Sequence, residues 1–530
     1  MVEISAHTDD DGWSLLHHAV KSGEQNIVEF FLDNGADINR PNDTGATALH
    51  LAALFSPHLI PYLYRRGADQ FARNNDGLTA IHLAAGHQPA AIPLLIERET
   101  PVDVLDTEDW TPLHVAAENM PESIEVLLHY GADINAITAT GMTPLHIAAQ
   151  HKPAAVAALL ENGANVRATN NDGWTPLHIA AHHQPDAVSM LTRAGSAVLA
   201  PLPNGSHPLH VAAEHCAESI PPLLAAGADI HAATKNGWTP LHFACCYHPE
   251  AVLHLIHAGA DVHTPDEDGV CPLHRAAQCQ PGVILDLVGA GAGVNVRAGD
   301  GWTPLHFAAC FQPEALTPLF NVGANAAATD ATGATPLHIA AENQPEAVGR
   351  LIIRGSSIDA QDNDGNTPLH VAAANSPEAV ETLCHNGAKV NVHCKNGTTP
   401  LHVAAEFSEK ATLVLLKNKA DPCATDDVGC TPLHVAAVQA PQTTVALVSY
   451  GADLTATNDR GETPASLAQE HSGPIAAALF GELSKRAALG MRHASEKAEL
   501  ESKVRQLEAR VAELEGNAAA AAAGIVSVKK

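Results

Sequence analysis

Residues 170–188 read NNDGWTPLHIAAHHQPDAV, and the core of this stretch, Thr175-Pro176-Leu177-His178, returns along almost the whole chain. The motif histidine stands at His17, His50, His82, His114, His146, His178, His210, His242, His274, His306, His338, His370, His402 and His434. The first step is 33 residues and every later one is 32. A further step lands on Ser466, inside Thr463-Pro464-Ala465-Ser466-Leu467-Ala468, a degenerate fifteenth copy. Chance does not hold such a register, so the chain is an array of small units and not a set of unrelated domains.

Each unit reads as a helical hairpin. Asn171-Asp172-Gly173 is a turn in which glycine supplies the left-handed residue. Thr175 fits an N-cap, Pro176 the first helical position, and Leu177, Ile179, Ala180 and Ala181 one packable face. Pro185 restarts a second helix through Val188 and Leu191, and Gly195 ends it. Two helices of about two turns are unstable alone and must bury their faces on the neighbouring unit. The predicted fold is therefore all-α: a helical-hairpin solenoid with β-turn or hairpin fingers projecting from each joint.

The T-P-L-H-x-A signature, with Gly131-Ala132-Asp133 at the corner, resembles the ankyrin repeat over roughly residues 9–481. That resemblance implies a non-catalytic scaffold or adaptor that holds a protein segment on the concave face. A second reading is a targeting or regulatory subunit that recruits an enzyme or anchors a cytoskeletal or membrane-protein complex. The sequence departs from the family in places. After the first repeat one residue is lost, and forms such as Asn343-Gln344-Pro345-Glu346 predict a tighter turn in which Pro restarts the helix. Ala48 and Ala80 replace the usual Pro, which predicts softer helix starts. His207 and Cys271 replace the capping Thr, at a cost of about 1 kcal/mol each.

Charge narrows the partners. The chain carries 29 Lys and Arg against 59 Asp and Glu. Only 7 of the acids, but 9 of the bases, lie in the last 49 residues, so the array proper is strongly acidic. Such a surface repels nucleic acid and anionic lipid and suits a basic or neutral protein partner; solubility alone is the plainer explanation. The expectation is no nucleic-acid binding, no transmembrane segment and, with no secretory signal evident, a cytoplasmic location with Cys as free thiols.

No nucleotide loop, metalloprotease motif, nucleophile elbow or kinase motif set is present, and no catalytic residue, cofactor site or metal site is assigned. The chain has 33 His, but the 14 motif copies occupy one structural position. By the resemblance, that side chain hydrogen-bonds between the turn and its neighbours. The neighbours His182 and His183 should diverge on a helix, and Cys245, Cys246, Cys271, Cys279 and Cys310 form no C-x-x-C pair.

Trp110, Trp174, Trp238 and Trp302 recur every 64 residues, two repeats apart. Either they are relics of two-repeat duplication that pack on a neighbouring hairpin, or they form a binding row. By the resemblance, the position before Thr and the two positions after Ala-Ala face the concave side. This adds Tyr247, Phe311 and Phe407 to the candidate partner-binding set.

Three segments are expected: the array over 1–481, a short coiled-coil helix over 482–516 and a flexible tail over 517–530. Leu500, Val504, Leu507, Val511 and Leu514 alternate by four and three as a heptad seam. Such a helix would pair the array as a homodimer, grip another helix, or stand as an isolated charged helix.

Overall fold

Thr-Pro-Leu-His folds locally before it packs. In the computed structural model, which describes residues 8–96, 100–471, 478, 480–483, 485 and 502–506, Thr175 has extended backbone angles and the helix Pro176–His183 starts directly after it. Proline at this first helical position has no N–H to leave unpaired. The side chain of His178, three residues into the helix, reaches back so that its Nδ1 accepts the Thr175 N–H at 3.2 Å. The second helix, Pro185–Arg193, again opens on proline. Gly195, at φ 86°, closes it, with its N–H donated to Thr192 O and that of Ser196 to Leu191 O.

This unit repeats within two compact portions, residues 1–266 and 267–530. In the first, the helices Leu15–Ser22, Ala48–Phe55, Ala80–His87, Pro112–Asn119, Pro144–His151, Pro176–His183, Pro208–His215 and Pro240–Tyr247 each pack on the next. In the second, Pro272–Cys279, Pro304–Phe311, Pro336–Asn343, Pro368–Asn375, Pro400–Phe407, Pro432–Gln439 and Pro464–His471 do the same. In most repeats the core is the motif Leu and the Ala-Ala pair of the first helix, with an Ala-Val or Ala-Ile pair and a Leu of the second helix, all buried. Alanine pairs such as Ala180-Ala181 leave little bulk between successive first helices and allow close approach. Each fully buried Leu contributes about 2 kcal/mol.

The fold is all-helical among the described residues, apart from one isolated bridge between Thr8 and Ser14. The expected fingers are turns without strands. Asn170 N donates to Trp174 O at 2.9 Å, Gly173 N to Asn170 O at 3.0 Å, and Asn170 Oδ1 accepts the N–H groups of Asp172 and Trp174. Most fingers lean on the one before by a backbone bond, as Asn171 N does on Thr140 O at 3.1 Å; Pro203, at the equivalent position, has no N–H to give.

The departures from the repeat resolve in physical terms. Ala48 and Ala80 still open helices, and Thr47 and Thr79 keep the bond to His50 Nδ1 and His82 Nδ1 at 3.1 and 3.2 Å. His207 and Cys271 likewise retain the N–H to His210 and His274 Nδ1, both at 3.0 Å. Most of the second helices take one of two forms. Pro153, Pro185, Pro249, Pro345 and Pro377 open α-helices directly. At Pro57–Leu59, Ala217–Ser219, Pro281–Val283, Pro313–Ala315 and Pro441–Thr443 a single 3₁₀ turn precedes a six-residue α-helix. In the fifteenth unit Ser466 replaces the motif histidine, and its Oγ accepts the Thr463 N–H at 2.9 Å in place of the ring nitrogen.

Of the expected C-terminal seam, Leu500, Leu507, Val511 and Leu514 lie outside the described residues, as does the segment 517–530. Val504 is described; it sits in a short helical piece and is buried, as are Phe480 and Leu483. Lys503 lies within electrostatic reach of Glu482. The Val504 side chain is thus already covered within one chain.

Candidate functional site

The motif histidines form two internal ladders. In the first unit Nε2 of His50, His82, His114 and His146 donates to the carbonyl oxygens of Leu78, Trp110, Met142 and Trp174, each at 3.0 Å. In the second, His274, His306, His338, His370, His402 and His434 reach Trp302, Ala334, Asn366, Thr398, Cys430 and Glu462 at 3.0–3.2 Å. Because Nδ1 accepts from the cap residue, the proton stays on Nε2 and the ring is neutral. Burial is the main cause that holds these rings uncharged; it brings His114, His146, His210, His274 and His370 down to about 4. The ladder is a structural device, and the rings named above spend their donors and acceptors within the fold.

The other histidines lie closer together than helix geometry suggested. His182 and His183 do not diverge: their ring centroids are 4.0 Å apart, and His182 stacks on His215 of the next repeat at 3.8 Å. Burial, then mutual repulsion, lowers the pKa of all three. No group of three side chains able to hold a metal ion occurs among the described residues. All ten cysteines are free thiols.

The four repeating tryptophans are half-buried, and each lies beside the motif histidine of its own helix at 5.9–6.1 Å. Beyond that they differ. Trp174 has His182 at 6.4 Å, Trp238 has Phe243 edge-on at 5.1 Å, and Trp302 has Phe307 edge-on at 5.4 Å and Phe311 at 6.5 Å. The tryptophans therefore pack on their own helices while showing solvent one part of the indole.

The exposed aromatics are at the ends of the first helices. Tyr247, Phe311 and Phe407 are 55%, 48% and 61% exposed. The structure adds Phe55, 49% exposed at the same place, five residues after its motif histidine. The sequence held this signal in the repeat register, five residues after the motif histidine, the position that also marks Phe407. A cleft of about 610 Å³ opens between the third and fourth repeats, lined among others by Leu83, Val115, Trp110, Asp76, Glu108 and Glu118.

No helix among the described residues is long and apolar enough to cross a membrane. No curated protein matches the chain. The family model described as ankyrin repeats (3 copies) matches over residues 2–71, 49–138, 135–200, 209–298, 273–362, 305–394, 339–426 and 386–458. Repeats of this kind are protein–protein interaction modules, in keeping with a surface of aromatic helix ends above a sealed core. The matches run almost end to end through the same helical hairpins that the Thr-Pro-Leu-His register lays down, and the chain belongs to the ankyrin-repeat family.

Proposed function

We propose that the chain is a non-catalytic adaptor that captures segments of partner proteins along the first-helix ends and turn tips of its repeats. One observation carries this reading. Phe55, Tyr247, Phe311 and Phe407 occupy a single register position, and each leaves about half its surface or more in water. Large aromatics repeated at an exposed position are the usual anchors of protein interfaces. The half-buried Trp302 stands 6.5 Å from Phe311 and adds a wall to that anchor. The acidic surface favours a basic or neutral partner segment, and the family precedent supports protein rather than nucleic acid as the ligand.

The alternative, a targeting subunit that delivers an enzyme or anchors a larger complex, uses the same surface and differs only in what the captured protein does. Pairing of two chains through the C-terminal heptads is a separate proposal. Leu500, Leu507, Val511 and Leu514 supply its apolar register, while the covered Val504 weighs against a free seam.

The test is quantitative affinity purification of the full chain and of a Tyr247→Ser/Phe311→Ser/Phe407→Ser variant. The variant should retain its melting temperature and lose its specific co-purifying proteins. An unchanged set of proteins captured by a folded variant would refute the reading. An enzyme activity that co-purifies with the wild type alone would select the targeting role. Light scattering of chains with and without residues 482–530 tests the pairing: equal monomer masses would reject it.

A further inference from the structure

We propose that the cleft between the third and fourth repeats receives the side chain of an arginine from a basic protein segment, a proposal that rests on the protein-capture reading above. The cleft measures about 610 Å³ and lies between the helices Ala80–His87 and Pro112–Asn119 and their two turn tips. Leu83 and Val115 give it apolar lining, and Trp110 adds an indole wall. Asp76, Asp106, Glu108 and Glu118 supply four carboxylates, His87 adds one imidazole, and no Lys or Arg lines it. The buried His82 among its lining residues is kept neutral, chiefly by burial. An arginine matches each part: its methylene stem suits the apolar lining, its planar guanidinium stacks on indole, and its forked donors suit carboxylates.

The comparison between repeats explains why the space exists here. Four residues after the motif histidine, the first repeat carries Lys21, the fourth Glu118 and the sixth His182. In the first repeat the chain fills the equivalent place with its own cation, since Lys21 Nζ lies 5.1 Å from the centre of the Trp13 ring and 5.4 Å from that of Phe55. In the sixth, His182 takes the place beside Trp174. Around Trp238 and Trp302 the residue after the motif histidine is Phe243 or Phe307, and it meets the indole edge-on. In the fourth repeat that residue is the smaller Val115, and the ring beside Trp110 is the buried His114 at 5.9 Å. Where the first repeat supplies a cation to its tryptophan, the fourth supplies a carboxylate and leaves room.

The carboxylates are not fully spent within the fold. Asp106 Oδ1 accepts the N–H groups of Glu108 and Trp110, both at 2.8 Å, which ties that oxygen to the turn. Glu118 accepts from Asn119 at 3.0 Å and stands 3.9 Å from His151, an exposed and weak pairing. Arg73, the nearby basic residue, donates to the Gly77 carbonyl and is not part of the lining. Glu108 and Glu118 are the groups best placed to meet an incoming guanidinium.

The experiment is ligand-observed saturation-transfer NMR on the full chain at about 0.15 M salt, with N-acetyl-arginine amide, N-acetyl-citrulline amide and the peptide acetyl-Gly-Ser-Arg-Ser-Gly-amide as probes. The arginine methylene protons should show transfer in both arginine probes. Citrulline, the neutral isostere, should show at least fivefold less, and so should arginine against an E108Q/E118Q variant. Trp110→Leu should abolish the transfer. Equal transfer from citrulline, or an undiminished signal with folded E108Q/E118Q, overturns the proposal. Binding of the free amide without the peptide also overturns it, because the cleft would then take a small cation and not a protein segment. None of the four exposed aromatics used to support protein capture lines this cleft, so the two readings fail separately.

Discussion

His82 donates from Nε2 to the carbonyl oxygen of Trp110, 28 residues further on, at 3.0 Å. Through that one bond a buried side chain of the third repeat fixes the residue that precedes the N-cap of the fourth. The same 28-residue relation recurs at most of the motif histidines, so that most helix starts are held by the repeat before them, whereas His17 reaches Arg40 O instead. An isolated hairpin lacks this support, which is why the array folds as neighbours and not as beads.

The ladder makes stability depend on pH. The motif histidines are neutral when folded, their pKa lowered from 6.5, in several cases to about 4, mainly by burial. The unfolded chain therefore binds more protons between these values, and stability rises with pH there. The contribution is fully present above about 6.5 and is lost as pH falls towards 4, on the order of a few kcal/mol per histidine. Thermal melts should show a falling midpoint from pH 7 to pH 5, above the range where most carboxylates titrate. A flat or rising midpoint over that range would contradict the neutral ladder.

Breaking one rung should loosen two repeats. His306→Leu removes the acceptor for the Thr303 N–H and the donor to Ala334 O, both at 3.1 Å. Two buried groups are left unpaired, which costs about 2–4 kcal/mol. Hydrogen exchange followed by mass spectrometry should quicken in Pro304–Phe311 and Pro336–Asn343 and change little in Pro464–His471.

Two glycines with the same backbone handedness should respond unequally to alanine. Gly131, at φ 86°, has nothing within 4 Å of an added Cβ, so Gly131→Ala bears only the left-handed strain of about 1–2 kcal/mol. Gly141, at φ 78°, would place that Cβ 2.9 Å from Asn171 N in the next turn. Its alanine variant should melt clearly lower than the Gly131 variant. Conversely, Lys419 holds φ 65° where most other repeats have glycine, and Lys419→Gly should stabilise by about 0.5–1 kcal/mol in chemical denaturation.

The aromatic residues should divide into two classes. Trp302→Ala removes the edge-on contact with Phe307 and should lower the melting temperature. Phe407→Ser, at a side chain 61% exposed, should leave it within experimental error and weaken partner capture instead. Equal thermal losses for both would mean that the helix-end aromatics are structural.

Capture of a basic partner should weaken as salt rises from about 0.05 to 0.5 M, since long-range attraction is screened over about 10 Å at 0.1 M. Titration by calorimetry or surface binding would show this, and salt-independent affinity would assign the contact to the aromatic helix ends alone.

The sequence by itself determined the architecture, because the period, the Thr-Pro start and the Gly ends are local instructions that each unit can follow alone. Thr175, Pro176 and Gly195 carry out in the structure the roles their chemistry assigns them. It also marked the aromatic positions, since register identifies equivalent sites without coordinates. It could not decide how those side chains use their surroundings. Whether a tryptophan is covered depends on residues a turn or two further along its helix and on the next turn tip, and these meet only after packing. So Trp238 and Trp302 are braced by Phe243 and Phe307, the His182 ring lies close to His183 and stacks on His215 of the next repeat, and Trp110 alone of the four borders the cleft lined by Val115 and Glu118. The repeat fixes where a side chain starts, and its neighbours in space fix what that side chain is free to touch.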